Sequence, residues 1–386
     1  MTAEETMPAA KPLTGKRILT VEQFGAGPYG TQFLADLGAE VIKLENIETK
    51  GDASRHVGPF MVGENDSLYF QGWHTNKKSV TIDLKSEAGQ RNLHRLVKRA
   101  DAVVNNLRGD QAVKLGLDYA ALSATNPKIV CGHISAYGRD NERASRPGYD
   151  FLMQAEAGLM SLTGDPEGDP ARIGPSMIDF MTGMTLSVGL LSCIIRAMET
   201  GQGCDVDTSL FEVALHQLNY SATWYLNTGY KAIRQMRSSH LSATPSQTVR
   251  AKDGWVFIMC MTEKFWRLMA KEIGLEHLIG DPRFATAKER TENRVELTEL
   301  LDGVFETNTV AYWVERLGNL IPIGPVYDIE QALENPFVER IGMVSHVPHP
   351  DMPEMRLLSN PLRFDGARPT QKTGSALGAD NDAYLE

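Results

Sequence analysis

Between Lys16 and Ser135, short apolar runs alternate with segments of helical periodicity. The runs are RILTVE (17–22), AEVIKLE (39–45), SVTIDL (79–84), DAVVNN (101–106) and KIVCGHIS (128–135). They have strand length and are rich in Val, Ile and Leu, the pattern of strands buried on both faces. Between the first two, PYGTQFLADLG puts Pro28 in a first helical turn and Gly38 just past the helix end. EAGQRNLHRLVKRA supplies a second helix after the third run. Strands separated by helices join through right-handed crossovers into a mostly parallel sheet covered on both faces. Residues 11–210 are therefore expected to form a large Rossmann-like α/β domain.

A chain of 386 residues has room for a second domain. GCDVDTSLFEVALHQLNYSATWYL reads as one long amphipathic helix, with residues 211–232 as a linker. Residues 233–322 then read as a smaller α+β domain. There GWVFIMCM is a strand, and EKFWRLMAKEIG and VELTELLDGVFE are helices.

Composition excludes some partners. The formal charge is -10, against the basic face a nucleic acid requires. The four cysteines, Cys131, Cys193, Cys204 and Cys260, form no CxxC pair and no Cys/His cluster, so no metal site is expected. The first residues lack the apolar core of a secretory leader, and the uncharged run Phe180–Ile195 is short and polar for a membrane span. A cytoplasmic protein without a membrane partner is the expectation.

Three motifs carry chemistry. GAGPYG (25–30) fits G-x-G-x-x-G between a strand and a helix, with Glu45 about 20 residues on to meet a ribose hydroxyl. That pattern suits an NAD-dependent oxidoreductase; it equally suits glycines that only serve a tight turn. Asp179, in SMIDFMTGM, heads a long apolar helix. It is either an N-cap or a carboxylate nucleophile whose oxyanion the helix amides stabilise, with Gly183 permitting close approach. Third, Tyr149 and Asp150 in RPGYDFLMQAEAGLM stand before a helix over 151–159, which Asp150 would cap.

Taken in order, AGPYGTQFLADLGAEVIKLE, DSLYFQGWHTNKKSVTIDLK, ADAVVNNLRGDQAVKLGLDY, NPKIVCGHISAYG, RPGYDFLMQAEAGLMSLTG, MIDFMTGM, TGQGCDVDTSLFE and PIGPVYDIEQALENPFV give a specific resemblance covering nearly the whole chain. The sequence resembles the class III CoA-transferases of CaiB/BaiF type, the family of formyl-CoA, carnitine and glutarate CoA-transferases, to which α-methylacyl-CoA racemase is related. The resemblance implies that the first glycine loop serves coenzyme A rather than NAD. It implies that Asp179 is the catalytic aspartate, bordered by Tyr149 and Asp150, with Phe24 and Gly25 beside the thioester end. Lys85 and Lys114, with their neighbours Ile82 and Leu115, fall near the CoA phosphates, and Asn106 and Leu107 line the CoA channel. The substrates implied are an acyl-CoA and a small carboxylic acid. The resemblance further implies a second linker over 323–345, a return of 346–386 to the large domain, and an interlocked homodimer.

Departures bear on the chemistry. Where several relatives carry a glycine lid, this chain reads RQMRSSHLSATPSQTV. Arg234, Arg237 and His240 in that region are candidates for the distal carboxylate of an acceptor, or simply an exposed basic loop. The racemase carries His immediately before the Asp of the third motif; this chain carries Tyr149, and a phenol is a much weaker base than imidazole at neutral pH. Transfer is thereby favoured over 2-methylacyl-CoA epimerisation, and an intact MIDF argues against a CoA-binding protein without catalysis.

Overall fold

The computed structural model describes residues 11–385. The chain divides into two compact units. The first runs to Ala157, resumes over Ile173–Asn219 and takes up the chain again from Phe337; the second comprises Gly158–Arg172 and Tyr220–Pro336.

The first unit is built on a six-stranded sheet in the order β3-β2-β1-β4-β5-β6. Its strands are β1 (Arg17–Val21), β2 (Glu40–Glu45), β3 (Lys78–Thr81), β4 (Ala102–Asn105), β5 (Val130–Ser135) and β6 (Cys204–Ser209). Every neighbouring pair is parallel. Strand order reverses between β1 and β4, so the loops leaving their carboxyl ends diverge and open a crevice there. Leu19, Ile42, Val80, Val103 and Cys131 face one side, in one core with Leu93, Leu96 and Val97 of α2 (Glu87–Val97). On the other side lie α1 (Ala26–Asp36) and the long α4 (Met177–Thr200), the latter packing Leu186 and Leu190 onto Gly132 of β5. Between them in sequence, α3 (Asp150–Glu156) is a short helix whose N-cap is Tyr149.

Two readings change. By length and composition α4 is apolar enough to cross a membrane, but Ile178, Leu186, Leu190, Ile194 and Ala197 are buried in the unit. CDVDTS is not the start of a helix; it is the edge strand β6, paired from Val130↔Cys204 to Ser135↔Ser209. Its Asp205 and Asp207 face water while Cys204, Val206 and Thr208 are partly covered, the period-2 alternation of a half-buried strand. Ser209 then caps α5 (Leu210–Gln217) by accepting from the Glu212 amide at 3.2 Å. The helical stretch breaks at Asn219, whose φ is 42°, before α6 (Asn219–Thr228).

From Phe337 the chain rejoins the first unit. Its last stretch lies along β3: the Ser79 amide donates to Asp380 Oδ2 at 2.9 Å and the Thr81 amide to Asn381 Oδ1 at 2.8 Å. An edge that would otherwise offer unpaired amides is thus covered.

The second unit holds an antiparallel sheet of β7 (Ser246–Ala251), β8 (Gly254–Met259) and β9 (Ile323–Pro325). Val249, Val256 and Ile258 share a core with Trp266 and Met269 of α7 (Glu263–Glu272), Leu301 and Phe305 of α8 (Arg294–Phe305) and Trp313 of α9 (Val310–Leu317).

Candidate active site

The turn after β1 and the first turn of α4 meet where α1 crosses α4. Glycine faces glycine there: a Cβ on Gly30 would collide with the Gly183 carbonyl, and one on Gly183 with the Ala26 carbonyl and the Gly30 amide. Backbone-to-backbone contact of this kind requires that neither residue carry a side chain. It sets the start of α4 beside the start of α1, and a Cβ on Gly25 would lie within contact distance of the Asp179 carboxylate and the Trp73 ring.

Asp179 does not cap its helix. The N-cap position is Ser176, and Asp179 stands in the first turn. Its own amide is taken by Asp150 Oδ2 at 2.9 Å, while Asp150 Oδ1 accepts from Gln154 Nε2 at 2.6 Å. Asp150 therefore caps α4 across space instead of α3, which it begins. Among the described residues the Asp179 carboxylate has no hydrogen-bond donor. Burial, then the negative charge of Asp150, raises its pKa to about 7. Aromatic rings account for the dry surroundings. Phe180 packs on Tyr29 with ring centroids 4.6 Å apart and edge-on to Trp73 at 5.4 Å; Trp73 stacks on Tyr69 at 5.0 Å. Burial and then the Asp179 charge hold the Tyr69 hydroxyl above its ordinary pKa.

Two cavities open at the carboxyl edge of the sheet. One, of about 300 Å³, is lined by Phe24, Gly25, Asn106, Leu107, Tyr149 and Asp179, together with Arg108, Arg146 and apolar Ile134, Ala136 and Leu210. The other, of about 290 Å³, is lined by Ile82, Lys85, Leu107 and Leu115 among others. They share Gln23 and Leu107. Most residues picked from the sequence thus collect at one edge. Gly183 lies beneath the site rather than in its wall. Lys114 lines neither cavity and pairs with Asp110 at 2.5 Å.

Sequence reasoning passed over Arg108, Arg146, Tyr69 and Trp73, although each lies inside or beside a quoted motif. It also passed over a buried charged group below the turn. Lys43 pairs with Asp52 at 2.8 Å, Lys77 with Glu22 at 2.7 Å, and Arg55 with Glu45 at 2.8 Å. Burial would push Glu22 up, but Lys77 and Lys43 hold it below its ordinary value. Burial together with those two lysines takes His74 down to about 4, leaving it neutral. Glu45, the residue the dinucleotide reading needs at a ribose, is 4% exposed and committed to Arg55, Ser79 and the Asp52 amide. That removes the physical basis for the NAD reading.

In the second unit, Arg234 Nη1 donates to the carbonyls of Gly168 and Asp169, both at 2.8 Å. Arg237 pairs with Asp302 and lies over Trp255, 4.5 Å from the ring centroid. Both guanidinium groups thus make structural contacts, while Arg237 Nη1 has no hydrogen-bond partner among the described residues. His240 lines a separate cavity of about 430 Å³ with Tyr220, Gln235 and Ser239.

Comparison with known proteins agrees on one family. The family model described as CoA-transferase family III matches residues 13–381. The chain is 32% identical to a succinate–glutarate CoA-transferase of Agrobacterium fabrum, over 95% of this chain and 94% of the relative. It is 30% identical to an acetyl-CoA:oxalate CoA-transferase of Acetobacter aceti, over 94% and 92%. Among solved structures, a CaiB/BaiF family protein from Brucella suis matches with a TM-score of 0.83 at 32% identity, over 97% of this chain and 98% of that one.

Proposed function

Because the chain belongs to CoA-transferase family III, we propose that it moves coenzyme A from an acyl-CoA to a small carboxylic acid through covalent intermediates on Asp179. One observation carries this reading. Asp179 is a poorly hydrated carboxylate with a pKa of about 7, set against a side-chain-free turn in a cavity. Such a group is more nucleophilic than an ordinary carboxylate and still substantially ionised near neutrality.

Asp179 attacks the thioester carbonyl of the donor, the C–S bond breaks, and an acyl-aspartyl anhydride and CoA thiolate result. The thiolate attacks the aspartyl carbonyl, expelling the donor acid and leaving an aspartyl-CoA thioester. The acceptor carboxylate attacks that thioester and re-forms an anhydride. Thiolate attack on the acceptor carbonyl then releases the new acyl-CoA and restores Asp179. The first-turn amides of α1 have no acceptor within the helix. We assign them to the developing oxyanions, where each donor contributes about 3 kcal/mol. The Tyr29, Tyr69, Trp73 and Phe180 rings keep water from the anhydride.

The second cavity, with Ile82, Lys85 and Leu115, suits the nucleotide end of CoA, with Lys85 as a phosphate partner. For the acceptor, the names of the relatives point to dicarboxylic acids. We also infer a homodimer: α4 presents Val188, Ile195 and Met198 to solvent, 64%, 59% and 59% exposed, on one helical stripe.

Oxygen-18 tests the route. An acceptor labelled in its carboxylate passes one oxygen to the aspartyl side chain, so the peptide containing SMIDFMTGM gains about two daltons after turnover. Turnover without label in that peptide excludes passage through Asp179.

A further inference from the structure

We propose that Lys43, Asp52 and Lys77 are positioning residues, whose charged ends fasten the turn from Glu22 to Pro28 so that Gly25 stays closed over the Asp179 carboxylate. For its effect on rate this rests on Asp179 being the nucleophile; the geometry does not.

Side chains from elsewhere in the first unit hold successive backbone atoms of the turn. Lys43 Nζ donates to the Glu22 carbonyl at 2.6 Å. Asn106 clamps Gln23 from both sides, accepting from its amide at 2.8 Å and donating to its carbonyl at 2.6 Å. Asp52 Oδ1 accepts from the Phe24 amide at 3.3 Å. Lys77 Nζ donates to the Pro28 carbonyl at 2.8 Å. Asn106 belongs to the cavity wall and Asp52 borders the second cavity, whereas Lys43 and Lys77 line neither; Lys43, Asp52 and Lys77 are 1%, 1% and 2% exposed.

Charges this deep are costly, and apolar residues of equal volume often stabilise a fold as well or better. Their retention here has a geometric use. An ammonium on a long stem reaches a turn carbonyl and a carboxylate at once: Lys77 meets Pro28 and Glu22, Lys43 meets Glu22 and Asp52. Between the fastened points Phe24 has a φ of 56°, a left-handed conformation that a bulky residue keeps only when its surroundings impose it. With the fastenings cut, Phe24 relaxes, Gly25 withdraws and water reaches Asp179.

The readout is the protonation of Asp179 itself. Carbodiimide modification of the full-length protein, followed by mass spectrometry of the Asp179 peptide across pH, gives its midpoint directly. Lys77→Met, and the charge-balanced pair Glu22→Gln with Lys77→Met, are expected to lower that midpoint by about one pH unit or more as the carboxylate hydrates. Asp150 and Tyr69, the other titratable groups acting on Asp179, are untouched by these changes. Alongside, kcat should fall roughly tenfold or more while KM for acyl-CoA moves less than about threefold. Lys77→Arg, which keeps donors in place, should restore the midpoint. The balanced pair serves if the single variant fails to fold. An unchanged midpoint in a variant that melts cooperatively overturns the proposal. Should Asp179 not be the nucleophile, Asp179→Asn would keep transferring CoA while the labelling shift of the Lys77 variants persisted, so the two failures are distinguishable.

Discussion

A carboxylate that attacks a thioester has to be ionised yet poorly hydrated, and burial satisfies the second demand by raising the pKa against the first. Asp179, at about 7, stands at the balance. Attack requires the ionised form, so kcat/KM should rise with pH through about 7 and level off above it, as a pH–rate profile will show. Stability runs the other way. Between the ordinary aspartate value near ~4 and about 7, the folded state holds a proton that the unfolded chain has released, so folding weakens as pH rises across that window. Asp179→Asn has no proton to lose. It should abolish transfer, and its melting temperature relative to wild type should be higher at about pH 8 than at about pH 5; a gap independent of pH contradicts this. In the sequence, MIDF singled out Asp179 as a candidate, but not what acts on it. Asp150 lies 29 residues earlier, and only the fold brings its carboxylate to the Asp179 amide.

At the level of elements, legibility followed burial. Strands β1, β2, β4 and β5 are hidden on both faces and read as apolar runs. The edge strand β6 shows water two aspartates and was read as helix, because TSLFEVALHQ beyond it is strongly helical and the polar alternation of CDVDTS is brief. The ionic group under the turn was invisible for a related reason: isolated Lys, Asp and Glu are surface residues by default, and pairing that reverses this depends on distant partners. Helix α4 does two tasks with two faces. Its inner face meets α1 through Gly183, and its outer stripe is the proposed contact with a second copy. Val188→Asp combined with Ile195→Asp should leave the melting curve of the unit nearly unaltered and shift sedimentation from dimer to monomer at micromolar concentration. A wild-type monomer under those conditions removes the assignment.

Across the whole molecule, a dinucleotide-like strand order and a G-x-G-x-x-G loop coexist with a family whose substrates are CoA thioesters. Gly25 abuts Asp179, Gly30 abuts Gly183 of α4, and Glu45 is locked to Arg55. Titration calorimetry should therefore detect CoA and no heat from NAD or NADP. Lys85→Ala should weaken CoA by no more than about 3 kcal/mol, the upper range for one charged hydrogen bond. Tight NAD binding would restore the oxidoreductase reading.

The cover over β3 also bears on how the protein is made. The partner of Thr81 is Asn381, 300 residues later. At about 5–20 residues per second, a ribosome needs roughly a quarter of a minute to a minute to deliver it. During that interval the nascent sheet has its neighbouring strands but an open flank, the kind of edge that pairs with other chains. Any pause while the second unit is being translated lengthens the exposure. Emergence of Asp380 and Asn381 is what brings acceptors to the Ser79 and Thr81 amides and covers that flank.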